Sequence, residues 1–549
     1  METINHKEIA DLLFPEIANG KEKDRKYFEV ERNNLVAKRN LRDNSEVTRV
    51  GPSPTGPMHI GTLYMSLVSK KIAQQSEGVF YLRIEDTDKV REVEGSKKFI
   101  IETLEKYKLN FDEMYVQSER VDVYKAFAYD VVSRGLAYPC FMSSQELDKM
   151  REEQVAMKIR PGVYGKYATG RDSTLEDIKN KLSDNNGKYQ VLRFKATGDI
   201  KNKTKFTDEF LGEHNIPEND EDFVLLKSDG VPTYHFAHVV DDYVLGTTFV
   251  TRGEEWLSSV GKHIALWRAI DVDAPKYGHI MPINKKIGDT IRKLSKRKDG
   301  EANIKYWEEI GYTREAIVSY LLRLTNPDLD VWWDEKVKNS TKINIDEYVL
   351  DLKQMKKSSR GPLLDMDKLN NMSADLLSQM SAEEVSEQFL IWAEQYDLEL
   401  FEMIMKIKKV DTNYLEQILN IERETEIKRK DIFKWSDVRD QIFYFYDELF
   451  EAYKAENIFT DQQKDLLNYF SKRLEQENFK EFMQSLDGWI GKMKMMHAEY
   501  SLETKNDLKF SDFMMTLRKQ ITKKEKTPNL YYIFEVLGKE SIIKRLKIA

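Results

Sequence analysis

Between residues 47 and 84 the pattern of hydrophobic positions changes from one period to another and back again. Val47–Val50 is a short β-prone run, and Val79–Ile84 is a second one. Between these runs, apolar side chains recur at the spacing of an α-helix: Leu63, Leu67, Val68 and Ile72. The pattern predicts a strand, a helix and a second strand, which form a right-handed βαβ unit with parallel strands.

The pattern changes again toward both ends of the chain. Residues 1–46 are highly charged, with apolar residues at helical spacing only near the start, which predicts a partly helical extension. From about residue 341 the sequence is rich in Lys and Glu and poor in proline, which predicts a helical C-terminal part. Aromatic residues at helical spacing in that part are interpreted as core: Trp392, Tyr396, Phe433, Trp435, Phe443 and Tyr444.

Candidate chemistry is concentrated in the turn between the first predicted strand and its helix. Pro52 keeps this turn extended, and Gly56 and Gly61 permit close approach of a ligand to the backbone. In open α/β sheets the ligand lies beyond the carboxyl ends of the strands, where His59 and Thr62 fall. The following helix N-terminus favours phosphate, to which His59 can donate a hydrogen bond. A lone histidine here would be explained as a helix-entry residue satisfied by the backbone.

A second concentration of charge lies between residues 285 and 298. Seven of these residues are Lys or Arg, and Asp289 is the only acid. Such a run is often just a solvated face. Here it contains Lys293-Leu-Ser-Lys-Arg297, in which Ser295 stands between two lysines. Mobile ammonium groups can follow charge onto a leaving pyrophosphate, so Lys293 and Lys296 are predicted to act there.

Composition limits the class of protein. The length of 549 residues suggests about three or four domains, and a hydrophobic content of 41% is ample for their cores. No apolar run approaches the roughly 20 residues of a membrane span, so no membrane association is expected. The single cysteine, Cys140, excludes an internal disulfide and is typical of a reducing cytoplasm. The net charge of −8 does not exclude nucleic-acid binding, because that requires only a local basic surface.

Together the two charged segments resemble the paired ATP-binding motifs of class I aminoacyl-tRNA synthetases. The residues around them are similar to bacterial glutamyl-tRNA synthetases, over residues 47 to 549. The form Glu85-Asp-Thr-Asp88 is typical of the bacterial branch. The similar blocks occur in the order of that family: Arg83-Ile-Glu-Asp-Thr-Asp88, Gln117-Ser-Glu-Arg120, Asp229-Gly-Val-Pro-Thr-Tyr234, Val240-Asp-Asp242, Arg252-Gly-Glu-Glu-Trp256 and Leu530-Tyr-Tyr-Ile-Phe-Glu-Val-Leu-Gly-Lys-Glu540.

The resemblance implies an α/β fold with a Rossmann-like parallel sheet, an inserted acceptor-stem domain and an all-α anticodon-binding domain. The expected division is a charged N-terminal extension over 1–46, a split catalytic domain over 47–120 and 222–340, an insertion over 121–221, and the anticodon-binding domain over 341–549. The helical C-terminal domain disfavours the truncated paralogue that modifies tRNA with glutamate.

The resemblance also implies a set of site residues. Arg49 and Arg252 are expected at the carboxylates of glutamate, because a guanidinium binds a carboxylate through two hydrogen bonds and stays charged. Ser53, Glu85, Tyr234 and Trp256 are expected in the same pocket. Eight residues are assigned to ATP: Pro52, His59, Gly61, Thr62, Glu255, Lys293, Ser295 and Lys296. Four of these are expected to be catalytic: His59, Gly61, Lys293 and Lys296. His238 receives no role.

The implied reaction uses ATP and Mg²⁺. Glutamate forms glutamyl-adenylate and pyrophosphate, and the 2′-hydroxyl of the terminal adenosine of tRNA(Glu) then accepts the glutamyl group. Catalysis would consist of positioning and charge neutralisation, with no nucleophile from the enzyme. The family generally requires bound tRNA for the first step. A cytoplasmic monomer with L-glutamate and tRNA(Glu) as substrates is expected.

One departure from the family concerns zinc. Some members hold zinc in the insertion with three cysteines and a tyrosine. In this chain Cys140 stands alone, Met142 occupies the position of a second cysteine, and the segment from Tyr164 to Ala168 lacks the third. One thiolate cannot form a tetrahedral site without several replacement ligands, so no zinc and no other protein-bound metal are expected.

Alternatives remain open from the sequence. A non-discriminating enzyme would also charge tRNA(Gln) with glutamate, and no residue separates it from the discriminating form. A catalytically silent tRNA-binding paralogue is disfavoured, because His59, Gly61, Lys293, Lys296 and Arg252 are all present. An adenylyltransferase that acts on a small molecule would not need the long C-terminal part.

Overall fold

The computed structural model describes residues 5–295, 297–355, 361–425, 428–454, 459–505 and 508–547. The chain divides into two compact units. The first unit consists of Met1–Tyr306, Leu321–Asp334 and Asn344–Leu364. The second consists of Trp307–Tyr320, Glu335–Ile343 and Asp365–Ala549.

The first unit begins with three helices, α1 (His6–Leu13), α2 (Pro15–Ala18) and α3 (Arg25–Arg39). Their starts are capped locally: the Asn5 side chain accepts a hydrogen bond from Glu8 N, and the Asp24 side chain accepts one from Tyr27 N. Leu12, Val30 and Val36 of this segment are exposed. Five of its apolar residues are buried: Ile9, Ala10, Phe14, Ile17 and Phe28.

The predicted βαβ unit is present. β1 (Val47–Val50) and β2 (Val79–Ile84) are parallel neighbours joined by α4 (Ile60–Gln75). After α5 (Ser96–Lys106), β3 (Glu113–Val116) pairs in parallel with the other edge of β2. The periodic apolar residues of α4 are buried, as the pattern predicts: Leu63, Leu67, Val68 and Ile72.

The next part of the unit contains α6 (Val121–Ser133), an antiparallel sheet and a hairpin. The sheet has the order β4 (Ala137–Cys140), β5 (Val191–Phe194), β8 (Val224–Lys227). Two helices lie between β4 and β5 in sequence, α7 (Ser144–Ala156) and α8 (Leu175–Asp184), and the hairpin is formed by β6 (Lys203–Asp208) and β7 (Gly212–Pro217). Since β8 begins after residue 221, the sheet takes in residues on both sides of the predicted boundary of the insertion.

A second parallel strand pair completes the framework of the site. The elements are α9 (Tyr234–Val244), β9 (Phe249–Gly253), α10 (Val260–Ala269) and β10 (Lys276–Ile280). β9 and β10 are parallel to each other, and Thr248 N donates to Val47 O at 3.0 Å, which places β9 beside β1. The carboxyl ends of β1, β2 and β9 therefore meet at one edge, where ligands bind in folds of this type.

The N-terminal helices are part of this framework. Three arginines of α3, seven residues apart and so on one face, bind the carbonyl ends of α9 and α10. Arg25 donates to Ile270 O at 2.6 Å, Arg32 to Tyr243 O at 3.1 Å and Arg39 to Leu245 O at 2.7 Å. Cations at helix C-termini satisfy carbonyl groups that lack partners within the helix. The predicted extension is thus helical and packed against the catalytic core.

The cationic segment begins as a hairpin. β11 (Asn284–Ile287) and β12 (Thr290–Lys293) are antiparallel, with Gly288 in the connecting turn at φ 57°. A two-residue turn of this kind needs a positive φ, which glycine adopts without strain. Three helices follow, α11 (Ile304–Glu309), α12 (Arg314–Thr325) and α13 (Asp328–Lys338).

In the second unit the described secondary structure is helical, which confirms the predicted all-α C-terminal part. Trp435, Phe443 and Tyr444 lie in its core, as predicted, whereas Trp392, Tyr396 and Phe433 are only partly buried. None of the described helices combines the length and apolar character needed to cross a bilayer. The helices from residue 366 onward are α14 (Met366–Gln379), α15 (Ala382–Tyr396), α16 (Leu398–Lys408), α17 (Tyr414–Asn420), α18 (Trp435–Ile442), α19 (Asp447–Ala452), α20 (Asp461–Gln476), α21 (Phe479–Phe482), α22 (Leu486–Thr504), α23 (Phe510–Thr522) and α24 (Leu530–Leu546).

Candidate active site

A cleft of about 420 Å³ opens at the carboxyl ends of β1, β2 and β9. It brings together residues that are as far apart in sequence as Arg49 and Trp256. Pro52, His59 and Thr62 of the predicted ATP set line this cleft. All six residues predicted to bind glutamate line it as well: Arg49, Ser53, Glu85, Tyr234, Arg252 and Trp256.

A second recess, of about 240 Å³, shares His59 and Thr62 with the cleft. Gly61, Glu255 and Lys293 line the recess as well. The structure therefore brings most of the predicted ATP residues to one place beside the predicted glutamate residues. Ser295 lines neither cavity, and Lys296 lies outside the described residues.

His59 is the N-cap of α4. Its Nδ1 accepts a hydrogen bond from Gly61 N at 2.8 Å, so the backbone role considered for a lone histidine is fulfilled. A Cβ on Gly61 would lie 2.9 Å from His59 Nδ1, so a larger residue at this position would force the imidazole to move. Gly61 therefore maintains the orientation of His59 at the mouth of the recess.

Acidic residues just downstream neutralise much of the cationic segment. Arg292 donates two hydrogen bonds to the Asp299 carboxylate, at 2.6 and 2.8 Å, and Ser295 N donates to the same carboxylate at 2.9 Å. These contacts hold the pKa of Asp299 well below its usual range, with Arg292 as the largest cause. Ser295 thus stabilises the turn through its backbone, and Lys293 lines the recess.

A buried ion network fixes the Arg49 side of the cleft. Arg49 Nη1 donates to Thr251 O at 3.0 Å, and its Nε lies 3.4 Å from Asp242 Oδ1. Arg83 donates to Asp242 Oδ1 at 2.6 Å and to Glu85 Oε1 at 2.9 Å. From the sequence, Arg83 was included in a family motif but was assigned no role. The pKa of Asp242 is held well below its usual range by these two arginines against the effect of burial.

Glu85 stands between this network and the cleft. Burial raises the pKa of its carboxyl group, and the neighbouring Arg83 and Arg49 partly oppose that rise. A Cβ on Gly51 would lie 2.3 Å from Glu85 Oε1, so a larger residue at position 51 would force the Glu85 carboxylate to move. Sequence reasoning did not single out Gly51. Its position immediately after β1 was the available signal.

Arg252 is buried on β9 and is held by histidines. Its Nε donates to His279 Nε2 at 2.9 Å, and Nη1 lies 3.0 Å from His263 Nδ1. Its Nη2 is buried and has no hydrogen-bond partner among the described residues. Sequence reasoning missed both histidines, since each is isolated in the sequence and only the fold brings them to Arg252.

Two aromatic rings form the wall beside Arg252. Tyr234 and Trp256 stack with their ring centroids 4.0 Å apart, and Tyr234 also stacks on His238. Such a wall supplies apolar contact area with little loss of side-chain entropy. The cleft thus has cationic groups at one end and a flat apolar surface beside them, an arrangement that suits a small anionic substrate next to a nucleotide.

Comparison with known families identifies this arrangement. The model of the catalytic domain of class I tRNA synthetases (E and Q) matches residues 46–369, which is more than half of the chain. The chain belongs to the class I tRNA synthetases. An anticodon binding domain model matches residues 398–549 of this synthetase. The predicted fold class, an α/β catalytic part followed by a helical anticodon-binding part, is confirmed.

Individual relatives refine the family. The synthetase is 37% identical to the glutamate–tRNA ligase of Clostridium perfringens over 569 residues, which covers 99% of each chain. It is 36% identical to that of Clostridium beijerinckii over 564 residues, 98% of each chain. These matches confirm the resemblance to bacterial glutamyl-tRNA synthetases, and their coverage extends into the N-terminal helices.

A solved structure is similar over most of the chain. It is the crystal structure of a glutamate tRNA ligase from Elizabethkingia meningosepticum in complex with its amino acid. The TM-score is 0.71 at 25% sequence identity, and the match covers 92% of this chain and 99% of that chain. The catalytic and anticodon-binding architecture is therefore shared with an enzyme of this group.

The residues at the family's zinc positions are mostly apolar in this chain. Cys140 is a buried free thiol, and Met142 and Tyr167 pack against a small cluster of buried apolar residues that includes Met150 and Val163. Within the part of the chain that the structure describes, no group of three or more His, Cys, Asp or Glu side chains is arranged to hold a metal. The absence of zinc stays a prediction, supported by the chemistry of these side chains.

Proposed function

We propose that this synthetase activates L-glutamate with ATP and transfers it to tRNA(Glu). The observation that carries the proposal is Arg252, a buried guanidinium whose Nη2 has no partner among the described residues and which lines the same cleft as Arg49 and Glu85. A buried donor without a partner is costly, and a substrate carboxylate would satisfy it.

The charge of the cleft suits glutamate. Four guanidinium groups of the cleft lining and its buried ion network stand against three carboxylates: Arg49, Arg83, Arg120 and Arg252 against Glu85, Asp241 and Asp242. Arg91 and Asp88, which also line the cleft, pair with each other. One positive charge is therefore in excess, and glutamate carries one net negative charge. Glutamine, which is neutral overall, would leave that excess uncompensated in a region of low dielectric constant.

The ATP residues would stabilise the transfer of the adenylyl group. The glutamate α-carboxylate attacks the α-phosphorus, the bond to the bridging oxygen breaks, and pyrophosphate leaves with the electron pair. His59 and the N-terminus of α4 would contact the triphosphate, while Lys293 and Lys296 would follow charge onto the pyrophosphate. Mg²⁺ would enter with ATP, held mainly by phosphate oxygens and water, and no residue is assigned to it.

The second step needs no nucleophile from the protein. The 2′-hydroxyl of the terminal adenosine attacks the carbonyl carbon of the adenylate, and the bond from that carbon to the phosphate oxygen breaks. AMP leaves with the electron pair of that bond, and the hydroxyl proton passes to its phosphate oxygen. The part matched by the anticodon model is proposed to bind the other end of the tRNA. A monomeric state and a cytoplasmic location stay predictions.

Charging of two purified tRNAs with labelled L-glutamate, ATP and Mg²⁺ tests this proposal. We expect tRNA(Glu) to be charged. Charging of tRNA(Gln) as well would identify the non-discriminating form, from which no residue of this chain separates the discriminating form. Binding of both tRNAs with no charging of either would contradict the proposal and indicate a silent paralogue.

A further inference from the structure

Half of the histidines in the chain gather around Arg252. The chain has eight histidines, and four of them lie in contact with one another or with this guanidinium. They come from three elements: His235 and His238 from α9, His263 from α10 and His279 from β10. The proposed reaction uses none of them, so their arrangement requires its own explanation.

The hydrogen bonds determine where the proton of His279 lies. His279 Nδ1 is 2.5 Å from Asp208 Oδ2, and Asp208 is an acceptor when ionised. The pKa of Asp208 is lowered, in part by His279 itself, although burial opposes this. His279 therefore carries its proton on Nδ1 and presents a lone pair on Nε2, which accepts from Arg252 Nε.

The same reasoning applies to His263. Its Nδ1 accepts from Arg252 Nη1, so its proton is on Nε2, which lies 3.0 Å from His235 Nδ1. His235 then accepts that hydrogen bond. Burial lowers the pKa of His263 and of His279, and the charge of Arg252 lowers both further. Asp208 raises the pKa of His279 in part, but the net direction is downward for both rings, so both are neutral at physiological pH.

His238 completes the group. Its Nδ1 lies 2.9 Å from Asp242 Oδ2, and its Nε2 lies 3.1 Å from Tyr277 OH and 3.5 Å from Arg252 Nη1. Trp267 Nε1 donates to Tyr277 OH at 2.9 Å, which leaves the tyrosine proton for His238. Two imidazoles, those of His263 and His279, thus present lone pairs to Arg252, whereas His238 also lies 3.4 Å from Arg49 Nη2 through its Nδ1.

This environment differs from that of the other two arginines of the cleft. Asp242 lies within ion-pair distance of both Arg49 and Arg83. Among the described residues, no carboxylate lies within 4.0 Å of Arg252, and its contacts are to neutral rings. A neutral acceptor fixes the orientation of a guanidinium and leaves its charge in place. A carboxylate would fix the orientation and also cancel the charge.

We propose that His263 and His279 are positioning residues that hold Arg252 through neutral acceptors, so that its charge remains available to a substrate carboxylate. The inference rests on the proposed function, because it gives Arg252 the substrate named there. Selection of an amino acid with a net negative charge then depends on the absence of a negative charge among the residues that contact the Arg252 guanidinium.

Three substitutions of His263 separate hydrogen bonding, charge and volume. His263→Asn keeps a neutral acceptor near the position of Nδ1, His263→Asp is nearly isosteric with it but charged, and His263→Leu has no acceptor. KM for glutamate, KM for ATP and kcat are measured by aminoacylation of tRNA(Glu). Glutamine is tested as a competitor in each case. Thermal unfolding of each variant reports on its folding.

The inference predicts a specific order. His263→Asn should keep KM for glutamate within about 3-fold of the wild type, and His263→Leu should raise it on the order of 10- to 100-fold, since hydrogen bonds to charged groups are of that strength. His263→Asp should raise it at least as much and reduce the preference for glutamate over glutamine. KM for ATP should remain near the wild-type value in all three.

Equal values for the Asn and Asp variants would overturn the role of charge, and equal values for the Asn and Leu variants would overturn the role of the acceptor. If His263→Leu does not fold, the pair His279→Gln and His279→Met repeats the acceptor comparison at the Nε2 position. A wild-type enzyme that does not charge tRNA(Glu) would instead disprove the proposed function, so the two failures are distinguishable.

Discussion

Lys293 Nζ lies 3.2 Å from Glu255 Oε2 at the edge of the recess that His59 lines. Both side chains are about half exposed, and exposed ion pairs contribute on the order of 0–1 kcal/mol. Lys293 can therefore exchange this carboxylate for a phosphate at little cost. The pair keeps the ammonium group beside the recess until the nucleotide binds.

The first prediction concerns this lysine. Lys293→Ala should reduce formation of glutamyl-adenylate by about 10²- to 10³-fold, because a positioned donor to developing charge typically contributes that much. The measurement is ATP–pyrophosphate exchange in the presence of tRNA(Glu). Lys286→Ala, an exposed change on the preceding strand, is the matched control and should stay within about 3-fold of the wild type. Equal rates for both variants would remove Lys293 from the ATP site.

A second prediction concerns the N-terminal helices. Arg39 is buried, donates to both oxygens of Glu113 and to Leu245 O, and so ties α3 to β3 and to the end of α9. Arg39→Ala should lower the free energy of unfolding of the first unit by roughly 1–3 kcal/mol, since a partly buried carboxylate and a carbonyl lose their donors.

Arg42→Ala is the control for that change. Arg42 and its partner Glu77 are both exposed, so its loss should cost less than about 1 kcal/mol. Thermal unfolding of the two variants gives the comparison. If Arg39→Ala were as stable as Arg42→Ala, residues 1–46 would be an attached extension that contributes nothing to the catalytic core.

A third prediction concerns pH. Burial lowers the pKa of His235 to about 4, and the charges of Lys262 and Arg252 add to this effect. Burial also lowers the pKa of His238 to about 3, although Asp242 opposes this effect. Between pH 6.5 and these values the unfolded chain binds more protons than the folded chain. Stability is therefore complete above about pH 6.5 and is lost as the pH falls, by up to about 1.4 kcal/mol per pH unit for each histidine.

The comparison that isolates this effect is between the wild type and His235→Gln. Glu85, whose pKa is raised by burial, shifts stability in the opposite direction in both proteins and cancels. The unfolding temperature of the variant should fall less between pH 7 and pH 5 than that of the wild type. Parallel decreases would show that His235 is not buried as a neutral ring.

A fourth prediction concerns metal content. Because Cys140 is the only cysteine, and Met142 and Tyr167 pack in an apolar cluster, purified enzyme should contain well under one zinc per chain, and chelators should not change its unfolding temperature. The measurement is elemental analysis before and after dialysis against a chelator. Stoichiometric zinc with loss of stability on its removal would contradict this interpretation of the insertion.

The sequence predicts most of the first βαβ unit and the residues that line its cleft. The spacing of apolar residues is sufficient there, because the strand pattern of Val47–Val50 and the helical pattern of residues 60–75 depend only on neighbouring positions in the sequence. No secondary structure was assigned from the sequence to the charged segment over residues 285–298, and the structure shows that it begins as a hairpin. The turn residues Gly288 and Asp289 were the signal for that hairpin.

The partners of the site residues could not be predicted in the same way. Arg83 and Asp242 stand 159 positions apart, and Asp208 and His279 stand 71 apart, so only the complete fold brings each pair together. The same holds for Arg32 and the carbonyl of Tyr243. A sequence pattern indicates which side chains face inward, but the choice among buried partners is made by tertiary packing.

We propose that Arg252 binds the glutamate that this enzyme activates. ATP–pyrophosphate exchange driven by L-glutamate, in the presence of tRNA(Glu), tests it with the wild type and Arg252→Ala. We expect saturable exchange for the wild type. For Arg252→Ala we expect KM for glutamate to rise by about 100-fold or more and KM for ATP to stay unchanged. An unchanged KM for glutamate in a folded Arg252→Ala variant would contradict it.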